Sequence, residues 1–178
     1  MNLLRTLLIG AALATTVSTA ALAQASSTAA TPTSGTIFQP IVLTKTTDLS
    51  FGTVVRPATG SGVVTIAASD GARTLTGSGA LITGPGFQAA SGRATYGVVG
   101  EGGQAFSINV PANFNMTRTG GAETIQVTLT PTATTGTLSS TLGTQGTASL
   151  GVGGSIPVSN TTATGQYLGS FSVTVQYN

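Results

Sequence analysis

The sequence predicts an all-β protein, an antiparallel two-sheet sandwich, from three observations. Apolar residues recur at alternate positions, glycine-rich turns separate the runs, and no stretch after residue 23 sustains apolar spacings of three and four. Each short strand then has one apolar face to bury, and stacked sheets bury it. A closed β-barrel is the alternative.

Residues 1–23 read as a secretory signal peptide. Arg5 gives the charged start, Leu7 to Val17 the apolar run, and Ala21-Leu22-Ala23 the small-residue cleavage site. The run is too short to span a bilayer, so the expected route is export to the periplasm and then to the cell surface or beyond, with no mature transmembrane segment. Residues 24–35 are small, polar and proline-containing, as in a flexible extension. Residues 36–178 suffice for a single domain with one core.

Within that domain Ile37, Ile41 and Leu43 share one face of a first strand, and Leu49 and Phe51 begin a second that runs to Val55. Val64 and Ile66 mark a third, closed by Asp70-Gly71, a dipeptide suited to a hairpin. A looser stretch follows from Leu81 to Phe87. Ala94, Tyr96 and Val98 then share a face, and Gly100-Glu101-Gly102-Gly103 is expected to turn them as a hairpin into Phe106, Ile108 and Val110. Ile125, Val127 and Leu129 are entered through Gly120-Gly121 and end at Pro131. Leu150 and Val152 lead through Gly153-Gly154 into Ile156 and Val158, a further expected hairpin. The last segment is the most regular: Tyr167, Phe171, Val173, Val175 and Tyr177 lie on one face, Ser170, Ser172, Thr174 and Gln176 on the other.

Composition narrows the chemistry. After residue 23 the charges are Lys45, Arg56, Arg73, Arg93 and Arg118 against Asp48, Asp70, Glu101 and Glu123, scattered singly. No basic stripe exists to neutralise phosphates, so nucleic acid is not an expected partner. Histidine and cysteine are absent, which removes the usual general base, the thiol nucleophile and the best zinc ligands. The glycine pairs sit between strands rather than at a helix start, so they read as turns and not as phosphate loops. Asp48 beside Lys45 reads as a solvated pair, and Asp70 and Glu101 as turn residues. The expectation is a protein that binds and assembles, not an enzyme, with no catalytic or metal-binding residues and no cofactor. Without cysteine its stability has to come from burial and strand pairing.

The C-terminus carries a resemblance. Gly165 through Asn178 is similar to the terminal strand of chaperone–usher pilins, with Gly165 fourteenth from the end, alternating apolar residues, and Tyr177 penultimate. The whole chain resembles the secreted family known as domain of unknown function 4402, akin in style to spore-coat-U-type secreted pilins. Pro40-Ile41-Val42-Leu43-Thr44-Lys45, Asp48-Leu49-Ser50-Phe51-Gly52, Val152-Gly153-Gly154 and the C-terminal strand carry it. The resemblance implies an immunoglobulin-like sandwich left incomplete by one strand, and a structural role in a surface fimbria or similar fibre. In such a fibre a neighbour's N-terminal strand fills the groove, and head-to-tail contacts propagate. It further implies that Gly165, Tyr167, Phe171, Val173, Val175 and Tyr177 wall the acceptor groove and meet a periplasmic chaperone and usher. Ile37, Ile41 and Leu43 are the best donor residues, and Ala25, Ala29 and Ala30 weak ones. The same segment also reads as the first strand of its own domain. A self-contained secreted module that binds a surface glycan or acts as an adhesin is the alternative function.

Overall fold

The computed structural model describes residues 26–82 and 90–178. The signal peptide assigned to residues 1–23, Ala25, and most of the loose stretch ending at Phe87 lie outside the described residues. The chain divides after Gly35. Residues 26–35 carry no helix or strand and are exposed.

The described residues of 36–178 hold β-strands and no helix. The strands among the described residues are β1 (Val42–Thr47), β2 (Val54–Val55), β3 (Ser61–Ile66), β4 (Arg73–Gly77), β5 (Ala80–Leu81), β6 (Ala94–Glu101) and β7 (Ala105–Asn109), followed by β8 (Asn113–Arg118), β9 (Thr124–Pro131), β10 (Thr135–Thr137), β11 (Gln145–Ser159), β12 (Tyr167–Leu168) and β13 (Thr174–Tyr177). Every pairing is antiparallel. The large sheet runs β1-β6-β11-β9-β8-β12, with β3 and then β4 added along the far half of β11. A second sheet has the order β10-β7-β13, and β2 pairs with β5 in a third.

Period-two patterning places the core. In β6, Ala94, Tyr96 and Val98 are buried while Thr95, Gly97 and Val99 are not. The inner face of the large sheet adds Val64, Ile66, Val127, Leu129, Leu150 and Val152, and Phe106 and Ile108 of β7 cover it from the second layer. Each such side chain contributes about 1.5–3 kcal/mol by leaving water. The two ion pairs found among the described residues are exposed, so burial and ladders hold the domain. The large sheet curls, but no pairing joins β1 to β12 among the described residues, so this is an open sandwich and not a closed barrel.

Four local expectations are corrected. The first strand begins at Val42 rather than Ile37, because Pro40 has no N–H to give to a ladder and residues 37–39 lie off the β6 edge. Leu49 and Phe51 are outside strands: Ser50 makes a lone bridge to Gly92, and Gly52, at φ 65°, breaks the extended run before Val54. Residues 100–103 do not make a hairpin. The Gly102 and Gly103 N–H groups donate to the Thr144 and Leu138 carbonyls, and the chain crosses from the large sheet into the second one.

Nor do Gly153 and Gly154 turn the chain. They lie inside the 15-residue β11, which pairs with β6 over Gln145–Val152 and with β3 over Gly154–Ser159, while β9 runs along the opposite edge. The glycines are needed where β11 changes partner, since a Cβ on Gly153 would sit 2.2 Å from the Ile66 carbonyl oxygen. The Asp70-Gly71 hairpin between β3 and β4 forms as expected, with the Asp70 carboxylate accepting the Ala72 N–H.

Gly153→Ala is therefore expected to cost about 1–3 kcal/mol in urea unfolding, as overpacking does. Gly97→Ala, where a Cβ meets nothing within 4 Å, should stay within about 0.5 kcal/mol of wild type. Equal stability of the two variants would contradict the partner switch at Gly153.

Candidate functional site

The alternating C-terminal segment keeps its period but not its continuity. Tyr167, Phe171, Val173, Val175 and Tyr177 are all half-buried, and all but Tyr167 pack against the core, while the residues between them are exposed. The segment was expected to lie as one ribbon; instead it crosses between the layers. β12 pairs with β8 at the edge of the large sheet, and β13 pairs with β7 in the second sheet. The crossing lies close against β8, where Gly169 packs on the Asn115 carbonyl and the Phe171 ring meets Phe114 at 5.2 Å.

The candidate acceptor residues therefore divide between two places. Gly165 and Tyr167 border a cleft of about 740 Å3 whose apolar lining includes Phe51, Val54, Met116, Ile125 and Ile156. Val175 and Tyr177 belong to β13, which approaches β1 at a seam between the edges of the two layers, and Val173 packs on the core just before it. Leu43 belongs to β1, on the other side of that seam, and Ile41 immediately precedes β1. Leu43 is opposite the buried Val98 on β6, and both residues pack on the core. Ile37 takes no part, being 93% exposed. Two of the three candidate donor residues thus sit within their own domain, beside the candidate acceptor strand.

β13 has one satisfied edge. Asn178 donates its N–H to Ala105, and Thr174 and Gln176 stand opposite Asn109 and Ser107. Antiparallel alternation turns the N–H and C=O of Val175 and Tyr177 to the other side. Among the described residues no strand pairs with that second edge. The row of main-chain donors and acceptors there is what an added strand would use.

Tyr177 closes one end of the seam. Its ring reaches across to β6, where its Oη accepts the Glu101 N–H at 2.6 Å and donates to the Gln39 carbonyl at 2.9 Å. Gly100 makes the room: a Cβ there would lie 2.2 Å from the Tyr177 Oη. Glu101, expected at a turn, is instead 2% exposed, and its carboxylate accepts N–H groups from Gln39 and Gly143. Nothing local in the sequence signals this, because the Gln39 partner is 62 positions away.

At the cleft end, Arg118 of β8 pairs along the main chain with Tyr167 and holds Glu123 through Nε and Nη2 at 2.8 and 3.0 Å. That hydrogen bond first, then bonds from its own backbone, hold the Glu123 carboxyl below its ordinary range. Lys45 and Asp48 form the exposed pair expected of them. Among the described residues no three His, Cys, Asp or Glu side chains gather as a metal site.

These features define an open antiparallel β-sandwich whose last strand has one edge unpaired among the described residues. Residues 41–177 match the family described as Domain of unknown function (DUF4402), and the chain belongs to that family. The matched range starts one residue before β1 and ends with β13. No curated protein and no solved structure matches the chain.

Because its carboxyl is lowered in the folded protein, Glu123 adds stability above about pH 4.5, its ordinary value, and loses it as pH falls through the lower folded value. An NMR titration should place the Glu123 midpoint below 4.5, and Arg118→Ala should return it to the ordinary range. An unmoved midpoint in that variant would remove Arg118 as the cause.

Proposed function

We propose that this protein is an exported structural subunit of a surface fimbria or similar fibre, joined head to tail by strand addition at the open edge of β13. The observation that carries this reading is that, among the described residues, β13 pairs on one side alone, with main-chain groups of Val175 and Tyr177 turned outward and their side chains half-buried beside them. An added strand gains ladder hydrogen bonds and buries alternate side chains in the seam. Such an edge is also a hazard before assembly, since it can pair with any extended chain. A periplasmic chaperone and usher that cover it during export fit this need.

The donor is the extension before β1. Since Ile41 and Leu43 are engaged in their own domain, Ile37 and Phe38 supply its large apolar side chains, together with Ala29 and Ala30. Each large residue fully buried contributes about 1.5–3 kcal/mol, less the ordering of the segment. A second reading, a self-contained secreted glycan-binding or adhesin module, draws on the same β1–β6 pairing, which gives the domain its own N-terminal strand.

Deleting residues 24–38 separates the two. In the fibre reading wild-type protein gives ladders on a mildly denaturing gel, and the deletion abolishes them while the domain still folds, because β1 stays in place. A wild-type monomer that the deletion leaves unaltered would favour the self-contained module.

A further inference from the structure

We propose that Glu101, Tyr177 and Gln39 form a latch that holds residues 36–39 across the Tyr177 end of the β1–β13 seam, and that it opens before a second molecule's strand pairs along all of β13. The proposal rests on the reading of β13 as an acceptor edge.

Three hydrogen bonds close a ring. The Gln39 N–H donates to Glu101 Oε2 at 3.1 Å, the Glu101 N–H to Tyr177 Oη, and the Tyr177 hydroxyl to the Gln39 carbonyl. Both main-chain groups of Gln39 are thereby taken by side chains and not by a strand. Phe38 adds an edge-on ring contact with Tyr177, centroids 5.8 Å apart. The Gly143 N–H fixes the other carboxylate oxygen.

Glu101 makes this more than a surface contact. Among the described residues it is the buried charged side chain, and neither ion pair there includes it. A buried carboxylate is costly unless N–H donors surround it, so losing Gln39 is penalised. The hold is nevertheless local. Pro40 has no N–H to add, and Ile37 is exposed. A few bonds and one ring contact secure the segment, and Phe38 packs on the ring of the residue whose outward N–H and C=O an added strand would use.

Glu101→Gln and Tyr177→Phe test the latch in the protein comprising residues 24–178. The first turns one carboxylate acceptor into a donor facing an N–H. The second removes the hydroxyl but keeps the ring in the seam. Neither alters a donor residue. Amide exchange in the monomer and the initial rate of assembly are measured together. In both variants Gln39 should exchange about tenfold faster or more, with Thr174 and Gln176 unchanged, and assembly should accelerate by a similar factor. Unchanged exchange at Gln39 shows that no latch exists. Faster exchange with assembly unchanged or slowed shows that the latch does not gate pairing; either result overturns the proposal. If neither wild type nor variants assemble, the acceptor reading itself fails and the latch loses its role with it.

Discussion

β11 is the constraint on which the rest of the domain depends. One strand of 15 residues serves β6, β3 and β9, so most of the pairing capacity of the fold is spent on a single sheet. It does so by passing Ile66 and Ala68 at backbone distance, which Gly151 and Gly153 permit. What remains for the opposite layer is short: three strands around β7, and the two-residue pair β2 and β5. Among the described residues the second edge of β13 is left without a strand.

The chain has few other means of holding itself together. It has no cysteine, and its ion pairs among the described residues are solvent-exposed. Burial of alternate valines, isoleucines and leucines supplies the stability, and side chains that cross between layers keep the sheets in register. Tyr177 is the clearest of these, reaching from β13 to the main chain at the end of β6. Arg73 acts likewise from β4, donating to the carbonyls of Phe51, Thr53 and Ile82 and so tying the segment that carries Phe51 to β4.

Period-two spacing made the fold class and most strand faces legible. The faces of β6, β9 and the tail follow from Ala94-Tyr96-Val98, Ile125-Val127-Leu129 and Phe171-Val173-Val175, and all bury as their spacing requires. Glycine was the misleading residue. It serves equally for a turn at Gly71, a crossing between layers at Gly102 and Gly103, and a close strand contact at Gly153. Only the distant neighbours, the 138–144 loop and Ile66, distinguish these uses. The same limit hid Glu101 and the division of the tail between two sheets, since alternation fixes which way a side chain points but not which strand lies beside it. At the candidate site the side-chain positions of Val175 and Tyr177 were readable, whereas their outward main-chain groups depend on the register with Ile108 and Phe106.

The account stands on the second edge of β13 being uncovered in the monomer. Residue-resolved amide exchange on the monomeric protein addresses it directly. The N–H groups of Thr174 and Gln176, which face β7, should be protected, and that of Val175, which faces outward, should exchange as a solvent-exposed amide. Equal protection of all three in the monomer would mean that the edge is already paired within the chain, and would contradict the account.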